Sequence, residues 1–245
     1  MNFKKIPAPY YLIVLFIHCS LLAFEWTAVS KFTKALLMPL LMVYLYKALS
    51  TPFTAETTGP KMDYEGNILS TRPISKPAII LAFIASWAGD IFLIFEGQGY
   101  FIAGMISFMI AHIGYIFLFN QIQAPSAKKS LLPILGAAFW LYLGIKLLTI
   151  LSDHLGSLAT PVLVYMFVII AMTFFAFNTA VFKDTKYWGV HFFSWGALFF
   201  VVSDMMLAYN IFLMKNSLLG VGVMLTYGIA QYTLAKGFSS YLLRK

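Results

Sequence analysis

Charged side chains are scarce in this chain: seventeen Lys and Arg and nine Asp and Glu among 245 residues, 11% in all, where soluble domains carry about 25%. That shortage excludes an ordinary solvated surface. Cysteine is all but absent, and the single Cys19 rules out an intramolecular disulfide and a cysteine metal cluster, so cysteine usage says nothing of the redox compartment. The four histidines, His18, His112, His154 and His191, include no pair at helical spacing. Zinc asks for convergent His, Cys or carboxylate ligands, so no metal is expected, and no other cofactor. No G-x-S-x-G elbow, P-loop or dinucleotide glycine fingerprint is present either.

Apolar residues fill the space that charge leaves, at 61% of the chain with a mean hydropathy of +0.83. This composition predicts an all-α, polytopic integral membrane protein. Apolar segments at about 10–28, 31–49, 77–95, 99–119, 131–151, 159–181, 188–209 and 217–240 are each long enough to cross ~30 Å of hydrocarbon. Eight transmembrane helices are therefore expected, in one transmembrane domain over residues 1–245. The first segment has no small-residue cleavage site and runs straight into the second, which reads as a retained helix and not a signal peptide. The long polar insert at about 50–76, rich in Pro, Gly and Thr, reads as a surface loop.

Orientation follows from the basic residues. With the N-terminus inside, only Lys31, Lys34, Lys146 and Lys215 of the seventeen fall outside, leaving thirteen within. This positive-inside bias puts both termini and the polar loop in the cytoplasm, as in a cell inner (plasma) membrane. The net charge of +8 is then a matter of topology and anionic lipid, and no nucleic-acid partner is expected.

The same topology gathers the charges that lie in or beside the spans. Glu25, Asp90, Glu96 and Asp204 all approach the outer face, and Lys34 starts its helix in that layer. An ionisable group in hydrocarbon costs at least about 2.5–3.5 kcal/mol and defaults to a functional reading. A buried ion pair of Lys34 with one aspartate is the structural alternative. One lysine cannot neutralise both Asp90 and Asp204, however, and the crowding predicts that at least one proton stays on the pair.

A short internal echo supports pairing these aspartates. AGDIFLIF around Asp90 and VSDMMLAY around Asp204 share a small residue, Asp, two apolar residues, Leu and a terminal aromatic. Each precedes a glycine-bearing helix, so that His112 and Tyr115 in the fourth roughly answer Tyr227 and Gln231 in the eighth. A four-plus-four repeat would set the aspartates in equivalent positions. Gly99, Gly104, Gly220 and Gly222 are expected to permit close helix approach. His18 reads as structural, His154 and His191 as exposed near span ends, and the many Phe and Met residues as core or lipid-facing.

The Gly-Asp with Leu93 three residues on, AHIGY in the fourth segment, SDMMLA in the seventh, YGIAQ in the eighth and the lysine of the second resemble the YhhN-like lysoplasmalogenase family of eight-span membrane proteins. The likeness runs over essentially the whole chain. In one departure, the family's second helix tends to read Lys-Pro, whereas here Ala35 follows Lys34 and the proline comes at Pro39. The resemblance implies hydrolysis of the vinyl ether bond of lysoplasmalogens to a fatty aldehyde and a glycerophospho-alcohol. A lysophospholipid drawn from the bilayer would be the substrate. Asp90 and Asp204 would be the catalytic pair, one donating a proton and the other stabilising the cation. Lys34 would bind the phosphate or tune an aspartate, and His112, Tyr115, Tyr227 and Gln231 would line the pocket. A different class, a proton- or cation-coupled transporter or lipid-binding protein, uses intramembrane carboxylates in the same way. Oligomeric state is not legible.

Overall fold

A computed structural model describes residues 8–50 and 72–243. Among these there is no strand, and eight main helices follow one another: α1 (Ala8–Ala23), α2 (Thr27–Ser50), α3 (Lys76–Phe92), α4 (Gln98–Ile122), α5 (Leu131–Leu155), α6 (Ala159–Ala180), α7 (Lys186–Phe212) and α8 (Ser217–Leu243). The expected loop at 50–76 falls mostly on residues 51–71, outside the described residues.

Five helical stretches are long and apolar enough to cross a membrane: Ala28–Ser50, Gln98–Ile122, Leu131–Ala180, Lys186–Phe212 and Ser217–Leu243. The third holds both α5 and α6, which pack against each other across a single 3₁₀ turn, Gly156–Leu158. Gly156 takes a positive φ of 49° there, a conformation that glycine adopts without steric cost. Two elements are shorter. α1 is apolar but has only 16 residues, and α3 has 17, about 26 Å at 1.5 Å per residue.

Element ends correct two sequence expectations. The first helix stops at Ala23 and not near 28, because the chain turns sharply at Glu25, whose φ is 59°. Glu25 is therefore an exposed turn residue, not an intramembrane carboxylate. α3 likewise ends at Phe92, which leaves Glu96 exposed in the α3–α4 connection beside Gly97. Its start is well specified, since Ser75 caps it by accepting from the Ala78 amide, with Pro77 in the first turn.

Sequential helices pair as neighbours, α1 with α2, α3 with α4, α5 with α6 and α7 with α8. α8 packs back on α1 and α2, α4 on α6, and α6 on α7. The centre is aromatic. Tyr115 and Phe119 of α4 stack on Phe238 of α8 at 6.1 and 5.9 Å, and Phe119 meets Phe193 of α7 at 5.1 Å. These side chains are fully buried, whereas Phe16, Phe32 and Leu218 are at least 70% exposed. An outer surface this apolar belongs in lipid, not water. Asn178 at the end of α6 donates to the Gln123 carbonyl at 3.0 Å and accepts from Ser130 at 3.0 Å, tying down the α4–α5 connection.

α7 contains a π-helical turn, Gly189–Phe193. Gly189 is required there, because a Cβ would overlap the Thr179–Ala180 backbone of α6. Of the glycines expected to permit close approach, Gly104 lies against Leu93 and Gly222 against Met206. Among the described residues a Cβ on Gly99 would meet no other element within 4 Å, and one on Gly220 would find its nearest contact, Asn210, at 3.8 Å. Those two sit in the first turns of α4 and α8.

Candidate active site

Asp90 and Asp204 are each held by a tyrosine from another helix. Asp90, near the end of α3, is 2% exposed, and its Oδ2 accepts from the Tyr227 hydroxyl of α8 at 2.6 Å. Tyr227 in turn accepts from Gln231 Nε2 at 3.4 Å, and Gln231 Oε1 accepts from the Tyr115 hydroxyl of α4 at 2.9 Å. Tyr227 and Gln231 stand four residues apart, so one face of α8 carries both. The network is buried, as a polar chain in an apolar bundle must be if its groups are to find partners in one another.

Asp204, in α7, has a different set of neighbours. Its Oδ2 accepts from the Tyr165 hydroxyl of α6 at 2.5 Å. The Tyr165 oxygen lies 3.0 Å from His112 Nε2 of α4, and His112 Nε2 is 3.7 Å from the same Asp204 oxygen. His112 is fully buried, while the Asp204 side chain retains 17% exposure.

Two phenylalanines stand between these networks. The Phe200 ring lies 4.7 Å from His112 and 5.5 Å from Tyr227, centre to centre, and Phe108 lies 5.8 Å from Tyr227 and 6.4 Å from Phe200. Phe108 reaches this position because Gly89 precedes Asp90. A Cβ on Gly89 would come within 2.7 Å of the Phe108 ring. The small residue before Asp90 thus has a packing reason.

The expected site residues therefore divide between two networks. Tyr115, Tyr227 and Gln231 join Asp90, and His112 joins Asp204, although His112 and Tyr115 are three residues apart on α4. Lys34 is not at the start of its helix: α2 begins at Thr27, so this half-buried lysine lies about two turns inside. It does not approach Asp90 within the 4.0 Å of an ion pair. His18 is buried, with Nδ1 2.8 Å from the Thr33 hydroxyl, and joins α1 to α2. His154 and His191 are exposed.

Asp204 opens onto apolar space. A groove of about 500 Å³ between α5, α6 and α7 is lined by Trp140, Leu148, Met166 and Val201, among others. A second, of about 440 Å³, lies towards α4 and includes Phe101, Met105 and Phe108. Val162, Tyr165, Asp204 and Ala208 line both. Among the described residues Asp204 is the one charged side chain in either lining. The arrangement can present a carboxylate, steered by a phenol, to an apolar molecule entering from the bilayer. Among the described residues no three His, Cys, Asp or Glu side chains converge as a metal site would need.

Tyr165, Phe108 and Phe200 are absent from the residues expected from sequence. Tyr165 carried a signal, since a phenol within an apolar span must find a hydrogen-bond partner. The two phenylalanines carried none.

Searches among curated proteins and among solved structures return no match. The family model of the YhhN family matches residues 29–238, a range that takes in Lys34, both aspartates and every member of the two networks. With most of its length matched, the chain belongs to the YhhN family.

Proposed function

We propose that this protein is a membrane hydrolase that cleaves the vinyl ether bond of lysoplasmalogens. Family membership supports a lysoplasmalogenase-like hydrolase, and the observation that carries the chemical reading is Asp204, a phenol-steered carboxylate open to apolar grooves. The substrate has one hydrocarbon chain joined through the labile bond to a polar glycerophospho group. Apolar grooves that meet at a carboxylate suit such a molecule.

Vinyl ether hydrolysis begins with a proton added to the β-carbon, which leaves an oxocarbenium ion at the carbon bonded to oxygen. Water adds to that carbon and loses a proton, and the resulting hemiacetal collapses to aldehyde and alcohol. Overall one water is consumed and the proton is returned. An acid and a nearby negative charge are therefore the essential groups, as in glycoside hydrolysis through a similar cation. In this reading Asp204 meets the reacting atoms, and Asp90 contributes negative charge from behind the Phe108–Phe200 wall. Lys34, on the α2 helix that packs against α3, offsets part of that charge.

An eight-span topology with both termini in the cytoplasm belongs to the same proposal. The two networks cross-pair in a way that fits a four-plus-four repeat: Asp90 of α3 with α8, and Asp204 of α7 with α4. Purified protein in detergent, incubated with a lysoplasmalogen, its saturated ether analogue and a lyso-ester, should release fatty aldehyde from the first alone. Absence of aldehyde, combined with proton-coupled uptake in vesicles, would favour a transporter.

A further inference from the structure

We propose that Tyr165 is a positioning residue that holds His112 and Asp204 as one directed hydrogen-bonded row at the wall shared by the two apolar grooves. Its part in turnover rests on the hydrolase reading; the row itself does not. A phenol has one proton, and Tyr165 gives it to Asp204 Oδ2 at 2.5 Å. Its oxygen can then only accept from His112 Nε2, 3.0 Å away, so that nitrogen carries a hydrogen. Direct contact between His112 and Asp204, at 3.7 Å, is too long for a hydrogen bond. The phenol is the bridge.

The rest of the imidazole agrees with this direction. His112 Nδ1 is buried and has no hydrogen-bond partner among the described residues, and Phe200 packs against the ring nearly edge to face, at 80°. A bare nitrogen is the cheaper group to leave unpaired in such a place, because an N–H there would lose its hydration with no acceptor in return. His112 is therefore held as the neutral tautomer with hydrogen on Nε2. At the other end, Tyr165 occupies only Oδ2 of Asp204, and Oδ1 has no donor among the described residues. Tyr165 lines both grooves beside Asp204, so a molecule in either groove meets a carboxylate whose orientation the phenol has set.

The test is ¹⁵N NMR of protein labelled at histidine, in detergent, with the His112 signals identified by their loss in His112→Gln. In the wild-type protein His112 should show a protonated Nε2 and a bare Nδ1; the opposite tautomer overturns the proposal without need of any variant. Tyr165→Phe should then shift the His112 signals and leave those of His18 in place. An unchanged His112 overturns the proposal, and a general disturbance that moves His18 as well would mark Tyr165 as merely structural and overturn it too. On the hydrolase reading the same variant should lower kcat roughly 100-fold with KM little altered. If wild-type protein releases no aldehyde, that reading fails, while the NMR result still decides the row.

Discussion

A tyrosine hydroxyl has one hydrogen to give, and Tyr227 and Tyr165 each give theirs to a carboxylate. The tyrosine oxygen then needs a donor, which is Gln231 for Tyr227 and His112 for Tyr165. Each aspartate is thus the end point of an ordered row, and changes at the aspartates should affect chemistry more than folding. Asp204→Asn and Asp90→Asn should each abolish aldehyde release while the protein elutes from a sizing column as the wild type does. Substantial residual turnover in either would remove that aspartate from the mechanism. Gln231→Leu should behave differently. It strands the buried Tyr115 hydroxyl and deprives Tyr227 of its donor, so it should cost about 1–3 kcal/mol, read as a lowered melting temperature.

At the scale of helices, the close contact of α3 with α4 depends on Gly89. The Phe108 ring occupies the space where a Cβ would stand, and the ring is hemmed in by Phe200 and Tyr227. Gly89→Ala should therefore destabilise the protein by about 1–3 kcal/mol through overpacking. Combining it with Phe108→Leu should recover part of that loss, since residues in contact are not additive. Simple addition of the two losses would show that the contact does not carry the effect. The Gly-Asp pair was legible as a motif in the sequence, but its reason was not. Nothing in the order of residues tells which ring of another helix will lie over Gly89.

Across the whole molecule, the distribution of Lys and Arg predicts which connections face the cytoplasm. Cys19 is the single cysteine and is buried, so single-cysteine variants in a Cys19→Ser background can report sidedness. In intact cells a membrane-impermeant maleimide should label Lys215→Cys, in the α7–α8 connection, and spare Lys128→Cys, before α5. The reverse pattern would invert the proposed topology.

Sequence alone determined the class of molecule and most of its helices. Hydrophobic runs of about 20 residues have few alternatives once the solvent is lipid, because every backbone hydrogen bond must close within the segment. Sequence also singled out Asp90 and Asp204, since a charge in such a run is costly wherever the helix sits. It misjudged Glu25, where a tight turn, invisible as a break in hydropathy, ends α1 early. Only the tertiary structure decided which partners the aspartates have. Helical spacing makes His112 and Tyr115 near neighbours on α4, yet they serve different networks because α6 presents Tyr165 to one and α8 presents Gln231 to the other. Spacing within a helix is a local property, whereas the identity of a facing side chain depends on how separate helices pack, and that is a property of the folded bundle.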